Sequence, residues 1–158
     1  MASCKQAAAA ADVMDHWLQD SLWLYLDPAD YFYPDAHLWL RTHKEAGHQI
    51  HILSIHQGPH WGMPAEQFQR IKLARSGVAE FVDSVTVVSG QKAEHIDPLL
   101  ETEQRNIFID DLPTELDTMR QTHPSVHCIR VRRPQAKHSD APTPEGITEV
   151  AALQEISL

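Results

Sequence analysis

The sequence predicts an α/β protein built on a parallel sheet. Three observations predict it. Short apolar runs recur along the chain, segments of about 10–15 residues with helical character separate them, and Gly or Pro marks many of the junctions. Such alternation means right-handed β-α-β units. In these sheets ligands bind at the carboxyl ends of the strands, so strand ends become the places to search for function.

The elements follow in order. Residues 5–20 read as a helix with Val13, Trp17 and Leu18 on one side, and residues 1–20 as an N-terminal helical extension. "LWLYL" (22–26) is the first strand and runs directly into Asp27. Pro34 and Asp35 open a helix that Gly47 closes. "HQIHILSI" carries a second strand (49–55), and "QGPHWGMP" is a Gly- and Pro-rich loop. "AEQFQRIKLARSG" is a helix ending at Gly77, and the third strand falls at about 84–88. "KAEHIDPLLE" starts another helix, kinked or ended by Pro98. "RNIFIDDLP" is a strand ending in paired acids, "TELDTMRQTH" a helix and "VHCIRV" the fifth strand. A Pro-rich loop leads to "ITEVAALQEI", read as a closing helix with Ile147, Val150, Leu153 and Ile156 on one face.

At 158 residues, residues 21–158 read as one domain with a full core. No apolar run is long enough to span a bilayer, and a cytoplasmic protein is the simplest expectation. Thirteen basic against 22 acidic residues give a net charge of −9, which argues against a general nucleic-acid binder. A small phosphorylated ligand needs only one or two local cations and stays compatible with that charge. Cys4 and Cys128 form no metal or disulfide framework, and Cys128, in an apolar run, reads as a buried thiol. The eleven histidines are scattered without a ligand motif; His56, His60 and Trp61 follow the second strand and should border a site there.

The strand ends supply Asp27, Ser54, Ser89 and the Asp110–Asp111 pair. Converging carboxylates repel one another and favour a hard cation such as Mg²⁺. A carboxylate can also attack phosphorus. A hydroxyl such as Ser54 and a cation such as Lys92 can hold phosphoryl oxygens and offset the charge that builds in the transition state.

In this arrangement the sequence resembles the haloacid dehalogenase-like superfamily, in the form of an uncapped or minimally capped member. Four pieces match in order over residues 20–156: "LWLYLD", "IHILS", Lys92 and "IFIDDLPTE". The resemblance implies a Rossmann-like three-layer α/β/α fold with a central parallel sheet of about five strands. It implies a Mg²⁺-dependent phosphatase acting through an aspartyl-phosphate. Asp27 would be the nucleophile and a metal ligand, Ser54 and Lys92 would bind phosphate, Asp110 and Asp111 would hold the metal, and Glu115 would complete the fourth motif. The family's phosphatases carry a second Asp two residues after the nucleophile as acid and base; here that position is Ala29. Asp30 is the nearest carboxylate able to take over proton transfer. Family members with Ala at this place cleave phosphorus–carbon bonds using a large inserted cap, for which this chain has no room. Two expectations therefore stand. One is a hydrolase of weakened activity on a phosphorylated small molecule or macromolecule. The other is an inactive relative that binds a phosphorylated ligand or a protein partner.

Overall fold

The structure, a computed structural model, describes residues 33–56, 64–134 and 136–158. The expected helix at 5–20, the strand at 22–26, and Asp27, Ala29, Asp30, His60 and Trp61 lie outside the described residues. Among the described residues no helix is long and apolar enough to cross a membrane.

Helix α1 (Pro34–Glu45) opens with proline in its first turn, where a missing N–H costs nothing. Gly47, at φ +88°, takes the left-handed position just beyond its end. Strand β1 (His51–Ile55) follows, then helix α2 (Ala65–Arg75), which ends before Gly77 at φ +71°. Strand β2 (Ser84–Val88) lies parallel to β1, with His51 opposite Ser84 and Ile55 opposite Val88. Asp83 fixes this pairing at its start: its Oδ2 accepts the Ile50 N–H at 2.7 Å and its Oδ1 meets Lys44 Nζ at 3.3 Å.

The second half repeats the pattern. Strand β3 (Ile107–Asp110), helix α3 (Pro113–Thr122) and strand β4 (His127–Val131) form a β-α-β unit, with β3 and β4 parallel and Asp110 opposite Arg130. Strand β5 (Thr148–Val150) adds to the other side of β4, again parallel. The described strands thus form a two-stranded sheet, β1–β2, and a three-stranded sheet, β3–β4–β5.

Period-two alternation distributes these strands between two cores. Phe108 and Cys128 face the first core with Leu116, Met119, Ala93 and Ile96. Ile129 and Val131 face the second with Trp39, Leu40, Val78 and Ile156, and Ile107 and Ile109 pack against it. Strand β1 contributes to both, Leu53 to the first and Ile52 to the second, so the two sheets share the same pair of cores. Burial on both faces is what parallel strands require. Cys128 is buried, as its apolar setting predicts, and burial pushes its thiol pKa up, away from the reactive thiolate.

Two expected helices are corrected. Residues 92–101 hold no α-helix; the chain makes two 3₁₀ turns, Lys92–Glu94 and Asp97–Leu99. Pro98 has no N–H to continue a helical ladder and disfavours α geometry in the residue before it. Residues 147–156 form β5 and a 3₁₀ turn at Leu153–Glu155 instead of a closing helix. Side chains take the backbone donors that a helix would use: Glu155 Oε1 accepts the Ala151 and Ala152 N–H groups, and Asp35 Oδ2 accepts that of Leu153 at 2.9 Å. Thr148 and Val150 are β-branched and suit the strand.

Asp35 ties α1 to the end of the chain. Its Oδ2 also meets Arg133 at 2.8 Å, and the Arg133 guanidinium lies over the Tyr33 ring. Burial raises the Asp35 pKa, but the Leu153 N–H and the Arg133 charge outweigh it and the net value is below the ordinary one. A lowered folded pKa gives stability that is present above the unfolded value, about 4, and is lost as pH falls through the folded value. Asp35→Asn is therefore expected to cost about 2–3 kcal/mol at pH 7, with the gap from wild type narrowing as pH falls below about 4. Urea midpoints at pH 7 and at successively lower pH measure this, and a gap that does not narrow on acidification would refute it.

Candidate functional site

Strand β2 ends at Val88, and Gly90, at φ +81°, turns the chain so that Lys92 opens the next 3₁₀ turn. Strand β3 delivers Asp110 at the same level. Lys92 Nζ meets Asp110 Oδ2 at 2.5 Å, with the two side chains 17% and 4% exposed, so this ion pair is largely shielded from water. The other Asp110 oxygen, Oδ1, accepts the Leu112 N–H at 2.9 Å, a side-chain-to-backbone turn that starts α3. Glu115, buried in the first turn of α3, accepts the Lys92 backbone N–H at 2.9 Å. The segment 110–115 therefore grips Lys92 at both its ammonium and its main chain.

Asp111 stands beside this pair on the solvent side. Protein packed around its carboxyl pushes the pKa up; the Asp110 charge and a hydrogen bond with Asp110 push it further. The charge of His138 acts in the opposite direction.

Ser54 lies near the end of β1, opposite Val87, and its Oγ is 2.6 Å from Gln69 Nε2 of α2. Ser54, Lys92, Asp110 and Asp111 all border a cavity of about 960 Å³. The four described residues that the sequence singles out for phosphate and metal are thus brought to one space from three strand ends. His56, just past β1, extends the ladder through its N–H to the Val88 carbonyl at 3.0 Å. Ser89 uses its carbonyl, at 3.0 Å from His95 Nε2. Among the described residues no three His, Cys, Asp or Glu side chains group to hold a metal ion.

Behind the acids lies Arg130, with no solvent exposure. Its guanidinium donates to the carbonyls of His138 at 2.7 Å, Ala141 at 2.8 Å and Asp111 at 3.4 Å, and to Thr143 Oγ1 at 2.6 Å. Arg132 adds a 2.6 Å bond to the Ser139 carbonyl. One cation therefore fastens the loop after β4 to the main chain of Asp111. Sequence reasoning missed Arg130, His138 and Gln69. A charge inside the apolar run "VHCIRV" was a usable signal for Arg130; a lone glutamine on a polar helix gives none.

The described fold is α/β with parallel strands, and its carboxylates and lysine meet at strand ends. No family model, curated protein or solved structure matches this chain.

Proposed function

We propose that this chain is a Mg²⁺-dependent phosphohydrolase of the haloacid dehalogenase-like kind. The observation that carries the reading is the convergence of Ser54, Lys92, Asp110 and Asp111 on one cavity, with Lys92 fixed at both ends. Consecutive residues of β1 and of β3 line the cavity, and consecutive strand residues point to opposite faces, so the cavity meets both strands edge-on.

The donor set suits a hard divalent ion in kind: Asp27, Asp110 and Asp111 offer carboxylate oxygens, the ligands such an ion takes. Asp27, Asp110 and Asp111 would hold Mg²⁺, which when bound would withdraw charge from the phosphoryl oxygens. Asp27 attacks phosphorus, the ester P–O bond breaks, and the leaving oxygen takes a proton; water then hydrolyses the aspartyl-phosphate. Ser54 and Lys92 hold the phosphoryl oxygens. Asp30 carries the proton in place of the missing acid at position 29. A displaced general acid costs about 10²–10⁴-fold, so turnover is slow.

Ala29 favours a second reading, a protein that binds a phosphorylated ligand or partner without turnover. Purified protein with Mg²⁺ and an aryl phosphate separates the two. Slow release of the phenol, abolished by Asp27→Asn, is the expected result. Phosphate binding without turnover across a panel of phosphate esters would establish the second reading, and neither binding nor turnover would overturn both.

A further inference from the structure

The contact between Gln69 and Ser54 has a direction. A serine hydroxyl carries one proton and two lone pairs, whereas a glutamine amide nitrogen only donates. With Gln69 Nε2 donating to Ser54 Oγ at 2.6 Å, one lone pair is occupied and the hydroxyl proton is free to point elsewhere. Ser54 borders the cavity that Lys92, Asp110 and Asp111 also border, so a ligand held there can reach both the hydroxyl and the charged groups. If Ser54 instead gave its proton to a neighbour, it would turn lone pairs toward any bound oxyanion and repel it.

We infer that Gln69 is a positioning residue that keeps the Ser54 hydroxyl proton directed at a phosphoryl oxygen. The inference rests on the reading of Ser54 as a phosphate-binding group. Gln69 sits half-buried on α2, four residues after Ala65 at the helix start. It does not touch the ligand and acts only through Ser54. It also explains why a helix with no fully buried residue is tied to the end of β1 by a polar contact.

The test is a double-mutant cycle read by binding of inorganic phosphate in the presence of Mg²⁺, using calorimetry. Ser54→Ala is expected to weaken phosphate binding about tenfold, the scale of one hydrogen bond to a charged group. Gln69→Leu keeps the volume, removes the donor, and is expected to weaken binding about three- to fivefold in the wild-type background. In the Ser54→Ala background Gln69→Leu is expected to change nothing, because its only route is gone. Gln69→Glu, whose carboxylate accepts the Ser54 proton, is expected to weaken binding more than Gln69→Leu, and that excess is also expected to shrink in the Ser54→Ala background. Thermal melting of the ligand-free proteins is the structural control, and midpoints within a few degrees of wild type are expected. Effects of Gln69→Leu that are equal in both backgrounds would overturn the positioning role while leaving the phosphate reading intact. The same holds if Ser54→Ala weakens binding and Gln69→Leu does not. Wild-type protein that binds no phosphate would overturn both.

Discussion

Lys92→Met is expected to lower the unfolding free energy by about 3–5 kcal/mol and, if the chain is the proposed phosphohydrolase, to abolish its turnover. Methionine nearly preserves the length and volume of the side chain and removes the charge. Asp110, whose side chain is only 4% exposed, would then keep the Leu112 N–H and lose its cation. Stranding a shielded carboxylate costs more than the pair itself contributes, because desolvation is no longer offset. The stray charge would also stand beside Asp111, whose pKa burial and the Asp110 carboxylate already raise. The double variant Lys92→Met/Asp110→Asn is expected to regain much of the stability and none of the turnover. Urea unfolding together with phosphatase assays checks both halves. A single variant within 1 kcal/mol of wild type would show that water screens the pair after all.

Leu116→Ala is expected to cost about 3–5 kcal/mol without changing the chemistry of the site. Leu116 has no solvent exposure and lies in the first core with Met119, Phe108 and Cys128. Truncation removes three side-chain carbons and leaves a cavity that Met119 cannot fully close. Glu115 is its neighbour in sequence but is held by the Lys92 N–H, so the grip on Lys92 should survive. Denaturant titration measures the loss. Activity at low temperature, well below the lowered melting point, is expected to stay within a few-fold of wild type. A cost under 1 kcal/mol would mean that the surroundings collapse onto the alanine.

The parts of this fold that the sequence revealed are those whose signal is local. Strands at 51–55, 84–88, 107–110 and 127–131 are short apolar runs bounded by polar turns, and α1, α2 and α3 have Pro or Gly at their ends. Ser54, Lys92, Asp110 and Asp111 were legible because each lies at or just beyond the end of such a strand, and their bordering one cavity is a consequence of parallel order. The failures have distant causes. The segment 147–156 carries helical spacing, yet its backbone donors are taken by Glu155 and by Asp35, the latter from the other end of the described chain. Nothing in the local pattern announces that competition. The stretch 92–101 failed for a nearer reason, the proline at position 98. Gln69 was invisible because its role exists only once α2 lies against the end of β1.

The Arg130 clamp bears on the order in which the chain can be completed. Its guanidinium is fully buried, and three of its partners, at positions 138, 141 and 143, are made after it during synthesis. When β4 has emerged from the ribosome and the loop has not, this cation has only the Asp111 carbonyl, at 3.4 Å, to replace its water. Docking it early would bury an unpaired charge, so β4 must hold its side chain in solvent until the next dozen or so residues arrive. The β3–β4–β5 sheet therefore matures late, and a nascent chain stopped just past β4 should be recognised as unfinished by chaperones and proteases.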